Sequence, residues 1–543
     1  MTKFDHKAKA AGPGATLTSP VRAVRRALTH EGGPAYAHDA KSELFLLAVV
    51  NMAGEDTFYE SAAKRDQRFM ELVHAVTKTD PDWVARFVPW LRGTANMRSA
   101  SVVAAVEYVR AGGAFGRRVV DSALLRADEP AEVLAYWTSA YGRALPQPVK
   151  RGVADAAARL YTERAALKYD GLSRAWRMAD VLELTHARPR DDAQSALFRY
   201  LLDRRHDRAD LAVPESLSVL TRRRALEAMP VADREGFVQL AARDATVAAL
   251  LTQAGMTWEA LAGWLDGPMD AAAWEAVVPS MGYMALLRNL RNFDEAGVSD
   301  AVASAVAAKL ADPDEVARSR QFPYRFVSAY DAAPSLRWAW ALEQALEAAT
   351  ARVPAFAGRT LVLVDTSASM SQQAFSARST MTPVKAAAVF GVVMAMRGNA
   401  VDLHGFADGQ FRHPVRPGGS VLAEVDRFTR RVGEVGHGTR IAEAVSATYR
   451  RHDRVVIVSD MQTFTDTGFA SFGGVRMSWT YRDRVATDQL PANVPVYGFN
   501  LGGYRTTVVN AGRNNRHEFG GLNDATFTML NLLEAHTTAG WPF

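Results

Sequence analysis

Five side chains with oxygen donors stand where apolar runs stop. Asp365-Thr366-Ser367-Ala368-Ser369 puts one carboxylate and two side-chain hydroxyls, Ser367 and Ser369, in a D-x-S-x-S spacing. Gly436-His437-Gly438-Thr439 adds a third hydroxyl, at Thr439, and Asp460 adds a second carboxylate. Carboxylate and hydroxyl oxygens are hard donors and suit a hard cation such as Mg²⁺. Mg²⁺ wants an octahedron of oxygens and keeps several waters, so this set leaves a coordination position open for an acidic ligand. Taken singly, each residue is equally at home as a helix cap or in a turn. Context separates the two readings.

That context is a set of strands. Residues 359–364, Arg-Thr-Leu-Val-Leu-Val, are largely apolar without alternation, as in a strand buried on both faces. A helix is predicted at 383–396, a strand at 401–406, a helix at 440–450, and strands at 454–460 and 494–500. Strands alternating with helices predict a parallel, doubly wound α/β domain. Ligands in such domains bind beyond the carboxyl ends of the strands, at the switch point of the topology. Asp365 and Asp460 each end an apolar strand and would meet there. The glycines around His437 allow the tight turn that presents Thr439 to the same spot. In order and context the five residues resemble the metal-ion-dependent adhesion site of von Willebrand factor A domains.

Hydrolytic signatures are absent: there is no G-x-S-x-G, no H-E-x-x-H and no G-x-x-x-x-G-K-[ST]. Ser367 and Ser369 have no evident general base, and His404 and His437 read as structural or exposed. The chain has no cysteine, which excludes disulfides, thiolate catalysis and Cys-ligated zinc. No apolar run is long enough to span a bilayer, and the first residues lack a signal peptide's apolar core, so a cytoplasmic protein is expected. At 543 residues, 48% hydrophobic and 23% charged, the chain reads as a soluble protein of two or three domains. Net charge of +5 and a pI near 9.3 permit an anionic partner without demanding one.

Upstream of the breaker Val353-Pro354-Ala355-Phe356-Ala357-Gly358, apolar residues recur at helical spacing from about residue 20 to 349, with almost no strand-like alternation. Pro81-Asp82-Trp83-Val84-Ala85-Arg86-Phe87 is echoed 49 residues later by Pro130-Ala131-Glu132-Val133-Leu134-Ala135-Tyr136, near the period of HEAT-type helical pairs. Two unrelated amphipathic helices would give the same echo. Basic residues gather between 143 and 224, among them Arg143, Lys150, Arg151, Arg159, Lys168, Arg174, Arg177, Arg188 and Arg199. Clustered Arg on helices is the footprint expected for a phosphate backbone. Interleaved acids such as Asp155, Asp170 and Asp180 allow a salt-bridged solvent face instead.

Several segments of the helical half resemble the TROVE module of the Ro ribonucleoprotein family. They are Gly142-Arg143-Ala144-Leu145, Lys168-Tyr169, and the run 180–189 with His186. Further on are Met284-Ala285-Leu286-Leu287-Arg288-Asn289-Leu290-Arg291-Asn292-Phe293 and Gln321-Phe322-Pro323-Tyr324-Arg325. A TROVE module followed by a von Willebrand factor A domain is that family's architecture. The resemblance implies a ring-like all-α domain of HEAT-type repeats, then a Rossmann-like A domain joining its ends. The expected division is a flexible basic tail at 1–20, the helical domain at 21–357 and the A domain at 358–543. It also implies Y-like non-coding RNA bound on the outer basic surface and single-stranded ends of misfolded RNA threaded through the hole. Lys168 and His186 match positions the family uses for Y RNA. The family's intervening arginine has no clean equivalent, and Arg174 or Arg177 is expected in its place, with Arg143 and Lys150 nearby.

The resulting expectation is a monomeric, non-enzymatic RNA-binding scaffold in RNA quality control or processing, with Mg²⁺ bound and a nuclease as partner. Two competitors stand beside it. One is a Mg²⁺-dependent protein-interaction scaffold that binds no RNA. The other is a metal-dependent phosphoesterase, which would cleave RNA when given Mg²⁺.

Overall fold

The computed structural model describes residues 19–50, 55–206, 211–351, 353, 355–375, 381–416, 418–464, 467–472, 475–480, 485–513, 515–522, 524–535 and 540–543. The expected tail at 1–20 lies almost wholly outside them. Two compact units emerge, one formed by residues 77–349 and the other by 1–76 together with 350–543.

The discontinuous unit is built on strands β1 (Ala23–Leu28), β2 (Pro34–His38), β3 (Arg359–Asp365), β4 (Ala400–Phe406), β5 (Gln410–Arg412), β6 (Arg454–Ser459), β7 (Thr467–Phe472), β8 (Val475–Thr480), β9 (Val496–Asn500), β10 (Thr506–Thr507) and β11 (Arg516–Gly520). Its main sheet runs β11-β9-β6-β3-β4-β5, parallel except for the β4–β5 pair. From β3 the chain first adds β4 on one side, then β6, β9 and β11 on the other. The switch point therefore lies between β3 and β6, where Asp365 ends β3 and Asp460 directly follows β6. Leu361 to Val364 and Val455 to Val458 are fully buried, as their unbroken apolar runs demand. The helix Pro383–Arg397 covers β3 and β4. Gly391 makes that contact close, because a Cβ there would stand 2.8 Å from a Val364 methyl.

The division differs from the one expected. Residues before 77 belong with the α/β unit because β2 pairs antiparallel with β10, giving a three-stranded sheet β1-β2-β10. Side chains secure the attachment: His38 Nε2 lies 2.7 Å from Glu518 Oε2 with both side chains fully buried, and Tyr36 donates to Asp488 at 2.6 Å. The strands escaped the sequence reading because β1, Ala-Val-Arg-Arg-Ala-Leu, is an edge strand with an exposed centre. It shows neither an apolar run nor clean alternation.

On β11, His517 is fully buried and stacks on Tyr497 at 5.6 Å, with no hydrogen bond to either ring nitrogen among the described residues. Burial, with Arg516 adding to it, pushes its pKa down to about 4. The unfolded chain takes up a proton near pH 6.5 that the folded protein refuses. Stability is therefore whole above that pH and is lost as pH falls toward 4, by at most about 3 kcal/mol from this group. His517→Phe is expected to flatten this acid limb in melts recorded between pH 7 and 4.5. An unchanged limb would remove His517 from the account.

The other unit is a succession of helices from Pro81–Gly93 to Leu336–Ala349. The two echoed segments are both helices, Pro81–Gly93 and Glu129–Tyr141, each with proline in its first turn. Neighbouring helices approach closely where residues are small. At Gly152 a Cβ would stand 2.6 Å from the Arg117 carbonyl, which lets Gln147–Leu160 seat on Gly116–Ala123. The 284–293 block ends in Phe293, fully buried, with ring centroids 5.1 Å from Trp274 and 6.4 Å from Trp338. Each such ring contributes about 2–3 kcal/mol by burial. The block is therefore core, and Arg291 pairs with Glu295 on its surface. Late in the unit, Arg320 donates to the Gly93 carbonyl 227 residues earlier at 2.5 Å, so the chain returns to its first helix.

Candidate metal centre and nucleic-acid interface

Asp365 stands at the end of the central strand and is completely buried. Its Oδ1 accepts from the Ser367 backbone N–H at 2.9 Å and its Oδ2 from the Ser459 hydroxyl at 2.5 Å. The Ser367 and Ser369 hydroxyls lie 3.2 Å apart. Asp460, 3% exposed, accepts from the Gln462 N–H at 3.1 Å through Oδ1, while its Oδ2 is buried without a hydrogen-bond partner among the described residues. Met461, the next residue, holds φ +64 although it is neither glycine nor exposed. Such local strain persists where the surroundings over-determine the backbone, and it gathers at functional sites.

Thr439 is 1% exposed and its loop is tied to both motifs. Ala368 N–H donates to the His437 carbonyl at 2.9 Å, and Phe464 N–H donates to the Thr439 carbonyl at 3.0 Å. The loop is shaped by a residue that the sequence reading passed over. Asp408 accepts from the His437 and Gly438 N–H groups at 2.9 and 3.0 Å. A Cβ at Gly436 or Gly438 would stand 2.2 Å from its carboxylate oxygens. Those backbone donors, Gly438 first, draw the Asp408 pKa down. The glycines are thus required by the wrap around Asp408 as well as by the turn.

Burial pushes the Asp365 carboxyl up to about 6, and burial together with Asp365 pushes Asp460 up to about 8. Two buried carboxyls that disfavour each other's charged form, one with an orphaned oxygen, are a pair whose ionisation a bound cation would favour. The set fits a hard divalent ion: two carboxylates and three hydroxyls, with no cluster of three His, Asp or Glu side chains among the described residues. Of the two histidines considered, His404 bonds Gln410 at 3.1 Å and His437 is exposed.

In the helical unit, Arg143, Lys168, Arg174 and His186 are exposed and Lys150 is half-buried. Lys168 closes the helix Glu163–Tyr169, and His186 caps the helix Met178–Thr185 in the left-handed region at φ 54. Arg174 lies in the loop between those helices and helps line a groove of about 250 Å³ with Asp128, Glu132, Tyr169, Trp176 and Met178. The Lys168 ammonium stands 5.5 Å and the Arg126 guanidinium 5.4 Å from the centre of the Tyr169 ring. An aromatic face among cations can stack a base beside its phosphate.

Arg177 does not join this set. It is 4% exposed and bonds Asp170 at 2.9 Å, with Arg204 on the same carboxylate at 3.5 Å. It braces the helical unit, and of the two alternatives for the missing family arginine only Arg174 faces solvent. Arg159 and Arg205 are likewise engaged, with Asp121 at 2.7 Å and Asp180 at 2.8 Å. Arg208, part of the same basic run, lies outside the described residues.

Known proteins bear on these sites. Residues 254–393 match the TROVE domain, a span holding both the 284–293 block and the Asp365 motif. The chain is 26% identical over 416 residues to the RNA-binding protein RO60 of Deinococcus radiodurans, covering 72% of this chain and 74% of that protein. The crystal structure of the Deinococcus radiodurans RO (RSR) protein superposes with a TM-score of 0.60 at 20% identity, over 91% of this chain and all of that one. Residues 254–393 thus match a TROVE domain, and the chain has the fold of the Deinococcus radiodurans RO protein, a helical unit with a mixed α/β unit.

Proposed function

We propose that this protein binds RNA through its helical unit and acts as a scaffold, not a catalyst, in RNA quality control or processing. The observation that carries the reading is the exposed pair Lys168 and Arg174 at the Tyr169–Trp176 groove, with exposed Arg143 just past the end of the helix Glu129–Tyr141 that lines it, all three free of ion pairs among the described residues. The TROVE match and the RNA-binding name of the Deinococcus relative support it. The ligands we propose are small structured non-coding RNA of the Y type and single-stranded ends of misfolded RNA. Phosphate contacts would supply most of the affinity, and shape rather than base sequence the selectivity. We place the protein in the cytoplasm as a monomer with a nuclease as partner, and assign Mg²⁺ to Asp365, Ser367, Ser369, Thr439 and Asp460. The bound ion would neutralise the two carboxylates and order the loops that carry them.

The test is a gel-shift titration with a structured small RNA and with a misfolded RNA bearing a single-stranded tail. Binding of both is expected, with affinity falling steeply as salt rises. Absence of binding at low salt sinks the reading, and Mg²⁺-dependent cleavage of the RNA would replace the scaffold with a phosphoesterase.

A further inference from the structure

The loop that follows Asp460 is covered by the protein's own N-terminal segment. The turn between β1 and β2, residues 29–33, docks on the loop that follows Asp460. Thr29 Oγ1 donates to the Thr463 carbonyl at 2.6 Å and Gly33 N–H to the same oxygen at 3.2 Å. His30 N–H donates to Gln462 Oε1 at 2.9 Å. The fit leaves no room for a side chain at Gly33, where a Cβ would stand 2.3 Å from the Thr463 carbonyl oxygen.

Thr463 faces the metal loops as well, since its hydroxyl donates to the Thr439 carbonyl at 2.9 Å. One residue thus joins the loop of a candidate ligand to the N-terminal turn. An aromatic cluster completes the wall: His30 stacks on Tyr59 at 5.3 Å, and Tyr504 meets the edges of both at 5.3 and 5.4 Å. Tyr504 is packed at Gly502, where an added Cβ would stand 2.5 Å from its ring and 2.9 Å from the Asp460 Cβ. Ser369 and Glu31 are neighbours of the Tyr59 hydroxyl, whose pKa is raised by burial first and by the nearby Asp460 next.

We propose that the metal centre is an intramolecular clip: Tyr59 and Glu31 close its open side, and cation binding and docking of the N-terminal segment reinforce each other. The chemistry is consistent. Mg²⁺ keeps several waters, and a carboxylate just outside the ligand shell can hold one of them. The Tyr59 phenol, with Ser369 and Glu31 as neighbours, is placed to act on a serine that would hold the ion. Outer-shell partners of this kind change metal affinity about 10- to 100-fold when removed. The cation also relieves the Asp365–Asp460 repulsion and so orders the Asp460 loop to which residues 29–33 are bonded. On this account a second protein's carboxylate is not the occupant of the open position.

The proposal rests on the five residues binding a divalent cation, and the experiment separates the two ideas. Mn²⁺ and Mg²⁺ binding to the full chain is measured by calorimetry for the wild type, Glu31→Gln, Tyr59→Phe and Asp365→Asn. Amide exchange is followed at residues 23–38 and 55–60 with and without the cation. The expected result is a roughly tenfold loss of affinity in Glu31→Gln or Tyr59→Phe with the metal-free melting temperature held, since outer-shell groups act on the ion. Exchange at both segments should slow on cation addition in the wild type and stay unchanged in Asp365→Asn. If the wild type binds no cation, the metal assignment itself falls. If it binds normally but exchange does not respond and both outer variants bind as tightly as the wild type, the metal assignment stands and the clip is overturned.

Discussion

Reversing the charge at Arg143, Lys168 and Arg174 together is expected to cut affinity for a structured small RNA by roughly a hundredfold at moderate salt. All three side chains are exposed, and none makes an ion pair among the described residues. Their removal therefore leaves no buried partner stranded, and the fold should be untouched. Each lost phosphate contact also lowers the dependence of log affinity on log salt by about 0.7–0.9. Titrations at several salt concentrations consequently read two quantities, and both must move. Arg177→Ala is the contrasting variant. It removes the nearer guanidinium from the fully buried Asp170 carboxylate, leaving Arg204 at 3.5 Å and the Met178 N–H, and should cost up to about 3 kcal/mol of stability in the helical unit. A triple variant that binds RNA like the wild type, with an unchanged salt slope, would remove this surface from consideration.

Arg174 and Arg177 also mark the limit of what the sequence could decide. Three residues apart in a basic loop, they look alike on the page. Only packing shows that Asp170 folds back onto one of them, because that choice depends on where the helix starting at Met178 lands. The metal residues were legible for the opposite reason. Two strands with unbroken apolar centres must lie inside a parallel sheet, and a polar residue ending each must fall at the sheet's carboxyl edge. Ser459 and Asp408 were not legible. Ser459 reaches Asp365 across neighbouring strands, and Asp408 reaches back from a turn to a loop 29 residues on. The N-terminal strands were missed because an edge strand with three exposed residues running gives no periodic signal. Their partner β10 has only two residues. A wall built from residues 29–33, Tyr59 and Tyr504 is a property of strand pairing between distant segments, which local pattern cannot register.

Asp460→Asn is expected to raise the melting temperature of the α/β unit in metal-free buffer near pH 8 and to abolish its response to Mg²⁺. The two effects share one cause. In the absence of a cation, Asp460 is a buried carboxylate with an orphaned oxygen, held beside the equally buried Asp365. Its carboxyl is pushed up to about 8 by burial and then by Asp365. A raised carboxyl pKa is a penalty on the charged folded form, absent below about pH 4 and growing as pH rises toward 8. The asparagine amide keeps the shape, carries no charge and can still accept from Gln462, so that penalty disappears. The wild type recovers the same stability by binding the ion, which at a hundred times its Kd adds about 2.7 kcal/mol. Asp365→Asn should behave differently. It too loses the Mg²⁺ response, but Asp365 accepts from the Ser367 N–H and the Ser459 hydroxyl, and an amide nitrogen facing either donor breaks a buried bond. Metal-free stability is therefore expected to rise in Asp460→Asn and to fall or hold in Asp365→Asn. Melts at pH 8 with EDTA and with excess MgCl₂ distinguish the cases. A Mg²⁺ shift that survives Asp460→Asn would mean that the ion sits elsewhere and that this pair of carboxylates is kept for packing.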